Sequence, residues 1–482
     1  MNNLYSVLDK NVAYLKKLFD NSSDFTVRYL QTKTTRCAVI TVEGMCDKEV
    51  LCTGIIYPLL KSDYPEVESV RELLSFMEHS VLSLAEISHV ETFEDVLQNI
   101  MSGFAVLLIE NCSVALSIGV QGYSYRSVAE PDSELSERGS REGFVEPLHI
   151  NMSLLRRRMK NPKLKLETMV IGDISHTEIC LCYLTDIVSK SILENLKEKL
   201  QNIRLDTVLA SGYLVTFLED DNEYSLFSGV GITERPDTVS GKITEGRIAI
   251  LIDGTPSVLI VPYLFVENFQ TMGDYSYKPY YATLIRMMKY LCFFVASLLP
   301  GIYTAVALFN PELFPEQILI QLETSIGNTP FGLVTEILLV LFMYEIMREA
   351  GLRLPKSLGH AVSIVGALVI GDTAVSAGLI VAPTLMIVAL TAIASYVIPD
   401  LYPQLYVLRI CFIISGGLFG IWGIVLLFCV LTVNLCGKST LGVPYTMPLA
   451  PFKFSSMRDV IIRADWKFLG KFNHIISDTP NG

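Results

Sequence analysis

Three carboxylates, Glu336, Glu345 and Asp372, interrupt stretches that are otherwise apolar. An ionisable group inside a membrane is costly unless it faces protein or water, so each is a candidate for handling ions. Glu345 lies near enough to the end of its apolar run to reach the interface. Glu336 fits a buried carboxyl hydrogen-bonded to a neighbouring helix as well as it fits an ion site. Val365, Leu368, Asp372 and Ser376 follow at spacings of three and four, which places them on one helical face. That face would line a pore, with Leu368 as an apolar gate beside a ring of Asp372 carboxylates that concentrates cations, or it would pack a neighbouring helix. The glycines at 366, 371 and 378 suit either use.

A second stretch rich in chemistry-bearing groups runs from residue 126 to 165 and carries Arg138, Arg141, Glu146, Arg156, Arg157 and Arg158. Such density of both signs is either a solvated face or a polar contact between subunits. Catalytic patterns are missing: no phosphate-cradling glycine loop, no zinc-type HExxH, no nucleophile elbow, and six separated histidines. Gly229-Val-Gly231 lacks a third glycine and runs at once into Glu234-Arg235-Pro236. Ten cysteines lack zinc-ligand spacing, and Cys180-Leu-Cys182 falls in a strand-like apolar run that reads as buried thiols. The chain is therefore expected to be no enzyme and to need no metal or cofactor.

The elements that position these groups follow from composition. The chain has 482 residues, is 51% hydrophobic and has a mean hydropathy of +0.42, too apolar for a soluble protein of that length. Charge crowds the first 280 residues and is sparse in the next 155, which marks two environments. A net charge of −12 with short basic runs argues against nucleic-acid binding. The first twenty residues resemble no signal peptide and read as an amphipathic helix with Leu4, Val7, Val12, Leu15 and Leu18 inward, so the amino-terminal half is expected in the cytoplasm.

The soluble half reads as two small α/β subdomains, 1–125 and 166–280, joined by the charged segment 126–165. Strands are predicted at Cys37 to Val42 and Phe104 to Ile109 around a helix capped by Thr92, then at Thr168 to Ile171 and Glu178 to Leu184. A helix from Ser189 presents Ile192, Leu196, Leu200 and Ile203 on one face, and Asp253-Gly-Thr-Pro256 joins two last strands in a hairpin. A helical membrane domain is expected over 281–435 and a cytoplasmic tail over 436–482. Its spans are Tyr281 to Phe309, Phe331 to Met347, part of His360 to Pro399, and Val407 to Val433. The excess of Lys and Arg outside the acidic loop 310–330 puts both termini inside, with four crossings and one re-entrant piece.

The run Arg348-Glu349-Ala-Gly351-Leu-Arg353-Leu-Pro355 follows a span and precedes a glycine-rich apolar helix. Glu349 and Arg353, four apart, pair on a helix that Pro355 stops, either as a plain topological anchor or as a coupler between soluble domain and pore. This run is similar to the hallmark of the A-subunit family of spore germination receptors, the GerA type. Arg126-Ser-Val128, Glu130-Pro131, Arg138-Gly139, Gly143-Phe-Val-Glu146, Thr233-Glu-Arg-Pro-Asp237, Gly246-Arg247 and Asp253-Gly-Thr-Pro256 fall in the family's order, and the resemblance covers nearly the whole chain. Ala367 and Asp372 depart from the family pattern, which has a glycine and a neutral amide there. The resemblance implies a nutrient-receptor subunit in the inner membrane of the spore, with a transporter-like B subunit and a lipoprotein C subunit as partners. It further implies oligomerisation into a ring, as a pentamer, that passes ions. A non-conducting scaffold of the same complex and a secondary transporter are the competing classes, although the paired membrane halves usual in transporters are not visible.

Overall fold

The computed structural model describes residues 3–64, 70–122, 134, 139–220, 225–316, 329–354, 371–452 and 454–469. Its amino-terminal half contains two α/β units built on one plan. The first has α1 (Leu8–Leu18), β1 (Phe25–Gln31), β2 (Arg36–Val42), helical stretches at 48–61 and 70–81, β3 (Ile87–Val90), α2 (Phe93–Ile100), β4 (Phe104–Ile109) and β5 (Ala115–Gly119). The second has α3 (Leu148–Arg158), β6 (Leu164–Ile171), β7 (Thr177–Leu184), α4 (Lys190–Asn202), α5 (Gly212–Leu218), β8 (Gly231–Thr233), α6 (Pro236–Thr244), β9 (Ile248–Ile252) and β10 (Val258–Val261).

Both sheets are antiparallel, with orders β1-β2-β4-β5-β3 and β6-β7-β9-β10-β8, so corresponding strands hold corresponding places. The likeness extends to single hydrogen bonds. Buried Asn11 on α1 exchanges amide bonds with the Tyr5 backbone, and buried Asn151 on α3 does the same with Val145. The first amide of α1, on Leu8, donates to Glu110 just beyond β4, and that of α3, on Leu148, donates to Asp253 just beyond β9. Each carboxylate satisfies an amide that has no partner within its helix.

The amphipathic amino-terminal helix buries Leu8, Val12 and Leu15. Val7, expected inward, is 38% exposed because it is the extended residue before the first turn and so leaves the apolar stripe. Thr92 caps α2 by accepting from the Asp95 amide, and the α4 residues Ile192, Leu196 and Leu200 pack on the second sheet.

The carboxy-terminal half is helical: α7 (Pro279–Phe309), α8 (Leu333–Arg353), α9 (Ala382–Tyr396) and α10 (Tyr402–Gly437). By length and composition, α7 and the stretch Pro399–Gly437 are able to cross a membrane. They pack closely because Gly301 and Gly416 leave room: a Cβ on Gly301 would fall 2.7 Å from the Phe412 carbonyl oxygen, and one on Gly416 2.6 Å from that of Gly301.

The stretch expected as one span, Val407 to Val433, is instead two helical legs. Gly420 adopts φ 64° and ψ −147°, a conformation open only to glycine, and the chain turns back there. Eight residues of straight helix cover ~12 Å, yet a Cβ on Gly423 would fall 2.5 Å from the Ser415 carbonyl oxygen. Ile424 and Leu431 of the second leg share a core with Leu405, Leu408 and Phe412 of the first. The segment after α10, expected as a tail, pairs β11 (Ser439–Thr440) with β12 (Val443–Pro444). It also sends Leu441, Val443, Met447 and Val460 into the core of the second α/β unit.

Candidate functional site: the junction of the α/β units with the apolar helices

The start of α7 carries a buried ion group that meets two other segments. Arg286 is fully buried; its Nε donates to Asp274 at 3.0 Å and its Nη1 to the Asp459 carboxylate and carbonyl, both at 2.7 Å. One turn on, the Lys289 ammonium donates to Thr271 Oγ1 at 3.1 Å and the Phe269 carbonyl at 3.3 Å, with Asp274 3.6 Å away. Arg286 and Lys289 entered the sequence analysis as markers of the inner face. In the structure they bind three segments together: the short helix at 272–276, α7 and the carboxy-terminal stretch. Removing a partner from such a buried set leaves an uncompensated charge, which costs several kcal/mol.

A second buried ion group lies just upstream. Glu267 is 3% exposed and accepts from Arg247 at 2.8 Å, Lys242 at 2.7 Å and the Leu264 amide at 2.7 Å. Burial pushes the Glu267 carboxyl up, but the neighbouring Arg247 and Lys242 charges outweigh it and hold the group below the usual carboxylate range.

The pair Gly229 and Gly231, which lacks the third glycine of a nucleotide loop, serves packing. A Cβ on Gly229 would collide with the Thr440 hydroxyl and one on Gly231 with the Tyr263 ring, so Gly229 admits the carboxy-terminal hairpin and Gly231 admits the tyrosine. Cys180 and Cys182 are buried thiols, as their strand setting predicts.

Among the membrane carboxylates, Glu336 is fully buried, and its Oε1 accepts from the Val381 amide at 2.7 Å, directly before α9. Its Oε2 has no partner among the described residues. Glu345 accepts from Arg348 Nη2 at 2.5 Å and from the Tyr402 hydroxyl at 2.7 Å, and the Arg348 guanidinium lies 4.3 Å from the centre of the Tyr402 ring. Glu345 therefore ties α8 to the start of α10.

In the hallmark run, Arg353 and Glu349 pair at 2.7 Å on the last turn of α8 and Gly351 lies within that turn, while Pro355 falls outside the described residues. Asp372 and Ser376 are both exposed, on a helical stretch at 371–376, whereas Val365 and Leu368 fall outside the described residues.

The charged connector divides into two kinds of residue. Arg156, expected on a solvated or inter-subunit face, is fully buried and reaches Asp24 of the first unit at 2.7 Å. Its position on the inward stripe of α3, beside Met152 and Leu155, explains the correction. Arg157 and Arg158 share Glu142, Arg141 and Glu146 are exposed, and Arg138 falls outside the described residues.

Arg409 is a buried charge that its apolar surroundings in the sequence conceal. It is 1% exposed inside the helical bundle, where Nε donates to the Ala296 carbonyl at 3.0 Å and Nη2 to the Thr391 carbonyl at 3.2 Å and to Ser395 Oγ. It joins α7, α9 and α10 and places its charge at the carboxy-terminal end of α9, where helix carbonyls favour a cation. A lone arginine in a span is costly in lipid, and that signal was available.

Comparison with known proteins places the sequence in a family. Residues 13–474 match the profile of the family described as Bacillus/Clostridium GerA spore germination protein. Spore germination protein KA of Bacillus subtilis (strain 168) is 37% identical over 95% of this chain and 85% of its own. Spore germination protein GerLA of Bacillus cereus is 32% identical over 96% of this chain and 93% of its own. A solved structure, the N-terminal domain of the A subunit of the Bacillus megaterium spore germinant receptor GerK3, is 29% identical with a TM-score of 0.43, covering 55% of this chain and 98% of that one. The chain belongs to the GerA family of spore germination proteins.

Proposed function

We propose that this chain is the A subunit of a nutrient germinant receptor in the spore inner membrane, and that several copies form a ring whose axis passes cations. The observation that carries the reading is Asp372, an exposed carboxylate with no protein partner among the described residues, on a helical stretch between apolar segments. A charge so placed needs water, and a water-filled axis shared by several copies supplies it. The remaining membrane charges are held within the chain: Glu336 by the Val381 amide, Glu345 by Arg348 and Tyr402, and Arg409 by carbonyls and Ser395.

In this reading Val365, Leu368, Asp372 and Ser376 face the axis, and Glu336 fixes the turn that follows them. The soluble units lie in the cytoplasm, and the joint at Arg286 transmits their movement to α7. Two legs in α10 add a crossing, so α7, α8, the stretch ending at Ser376, α9 and the two legs make six, and both ends of the chain stay on the inner side. A transporter-like B subunit and a lipoprotein C subunit complete the receptor. A contact with another subunit falls to the exposed Glu146 beside α3, while Arg157 stays paired with Glu142.

Disulfide trapping of Asp372→Cys in membranes, followed by native mass measurement, tests the reading. Neighbouring copies are expected to cross-link and to give a symmetric ring. A protein that stays single while bound to its partner subunits indicates a scaffold instead.

A further inference from the structure

A cavity of about 450 Å³ lies between the second soluble unit and the membrane helices, at the level of the Arg286 joint. Its charges do not balance. Arg235 is engaged by Asp237 at 2.7 Å, and Lys289 is held by the Asp274 side. Glu134 accepts from Thr233 and the Glu234 amide, and Asp400 on the same wall has the Lys289 charge as its one facing cation and no hydrogen bond among the described residues. Asp400 is exposed to the cavity, and the Tyr263 hydroxyl too makes no hydrogen bond among the described residues. Ile232, Ile260, Ile285 and the Tyr281 ring supply the apolar remainder, and Tyr281 packs edge-on to Tyr277 with ring centres 5.0 Å apart.

Two observations show that the acidic groups act on a common space. Burial pushes the Glu134 carboxyl up to about 7 against its bonds from Thr233 and the Glu234 amide, with the Asp400 charge adding to the rise. Burial likewise raises the Tyr263 hydroxyl, and Asp400 is the next cause. An anionic ligand would meet two carboxylates on one wall. A neutral one without a donor would leave Asp400 without a hydrogen bond. A cation with N–H donors satisfies Asp400 and the Tyr263 oxygen together, and tyrosine faces favour it further.

We infer that this cavity binds a small organic ammonium group carrying a short apolar body, held by Asp400 and Tyr263 at the seam between the soluble units and the membrane helices. The ligand bridges β8 and β10 of the soluble unit to the start of α7 and the segment before α10. Its binding therefore stabilises the joint itself. The ammonium could be carried by a free amine or by the headgroup of an aminophospholipid, because both present the same chemistry at a membrane surface.

The test uses the full-length protein in micelles that contain no amine headgroups, above neutral pH so that Glu134 is ionised. Thermal unfolding is followed with n-butylammonium, n-butanol, n-butyrate and potassium ion, at equal concentration and ionic strength. Butylammonium alone is expected to raise the unfolding temperature, by ~3 °C near saturation. Asp400→Asn removes that shift while the unliganded protein melts as before. Should Asp400→Asn fail to fold, Tyr263→Phe serves, reducing the shift through loss of one acceptor. An equal shift with butanol or potassium, or a full shift in the variants, overturns the inference. In vesicles of phosphatidylethanolamine, loss of the butylammonium shift assigns the site to a lipid headgroup. Its persistence there and in phosphatidylglycerol vesicles assigns it to a free amine.

Discussion

Arg156 and Asp24 lie 132 residues apart and both are buried, with the guanidinium Nε and Nη2 each 2.9 Å from a carboxylate oxygen, in a fork-to-fork pair. The remaining arginine donors reach the Leu164 and Asn161 carbonyls, and Ser22 closes the other side of the carboxylate. The pair is thus the bolt between the two α/β units, placed where the connecting segment enters the second.

Breaking that bolt is expected to be severe. Arg156→Met leaves Asp24 buried without its cation and should cost about 3–5 kcal/mol. Chemical unfolding of the full chain, compared with Arg157→Met at the half-buried neighbour paired with Glu142, is the measurement. The neighbour, whose pair with Glu142 is partly open to solvent, should cost less. Restoration of stability by the double change Arg156→Met with Asp24→Leu separates loss of pairing from loss of packing.

Glu134 gives the fold a pH dependence of defined sign. Its carboxyl is raised to about 7 in the folded protein, from an ordinary value near 4.5. Between those values the folded state holds a proton that the unfolded state releases, so this group's contribution is complete below the ordinary value and fades as pH rises through 7. The loss is on the order of 2 kcal/mol after solvent screening. Unfolding temperature measured across that window should fall less in Glu134→Gln than in the parent protein.

Glu336→Ala should destabilise more than Glu336→Gln. Alanine leaves the buried Val381 amide without its acceptor, at about 1–3 kcal/mol, whereas glutamine keeps a carbonyl oxygen in reach. Protein accumulation and thermal unfolding in membranes check the order. Equal behaviour of the two variants would show that the Val381 bond is not what Glu336 provides.

The turn at Gly420 supplies a fourth prediction. Any side chain there is strained by φ 64° and meets the Phe309 ring at 3.1 Å, so Gly420→Ala should cost about 1–3 kcal/mol. Gly254→Ala also sits at positive φ but meets nothing within 4 Å, and it should cost less. A straight α10 would be indifferent to the first change.

Much of this architecture was legible in the sequence because its causes are local. The Thr92 cap, the α4 stripe of Ile192, Leu196 and Leu200, and the hairpin at Asp253-Gly-Thr-Pro256 each follow from a few neighbouring residues. Glu349 and Arg353 pair as their four-residue spacing requires.

What escaped depends on partners distant in sequence. Arg156 looks like one of three equal arginines until the helix turns it toward Asp24. Arg409 is concealed in an apolar run whose carbonyl partners lie on two other helices. The return of α10 was hidden because a glycine amid apolar residues serves helix packing as readily as reversal. The likeness of the two units was hidden for a related reason. Asn11 and Asn151 are single polar residues, and strand order is a property of pairing that composition does not encode.

The most direct test of the central claim, that the stretch carrying Asp372 lines a cation path, is resting cation efflux from vesicles bearing the assembled receptor, with Leu368→Ala compared against the parent. The account predicts efflux without any nutrient in Leu368→Ala, because a narrow apolar ring closes a pore by excluding water and alanine widens it. It also predicts that the added Asp372→Asn change makes that leak less selective for cations. A Leu368→Ala receptor that accumulates normally, does not leak and still responds to nutrient would contradict the account.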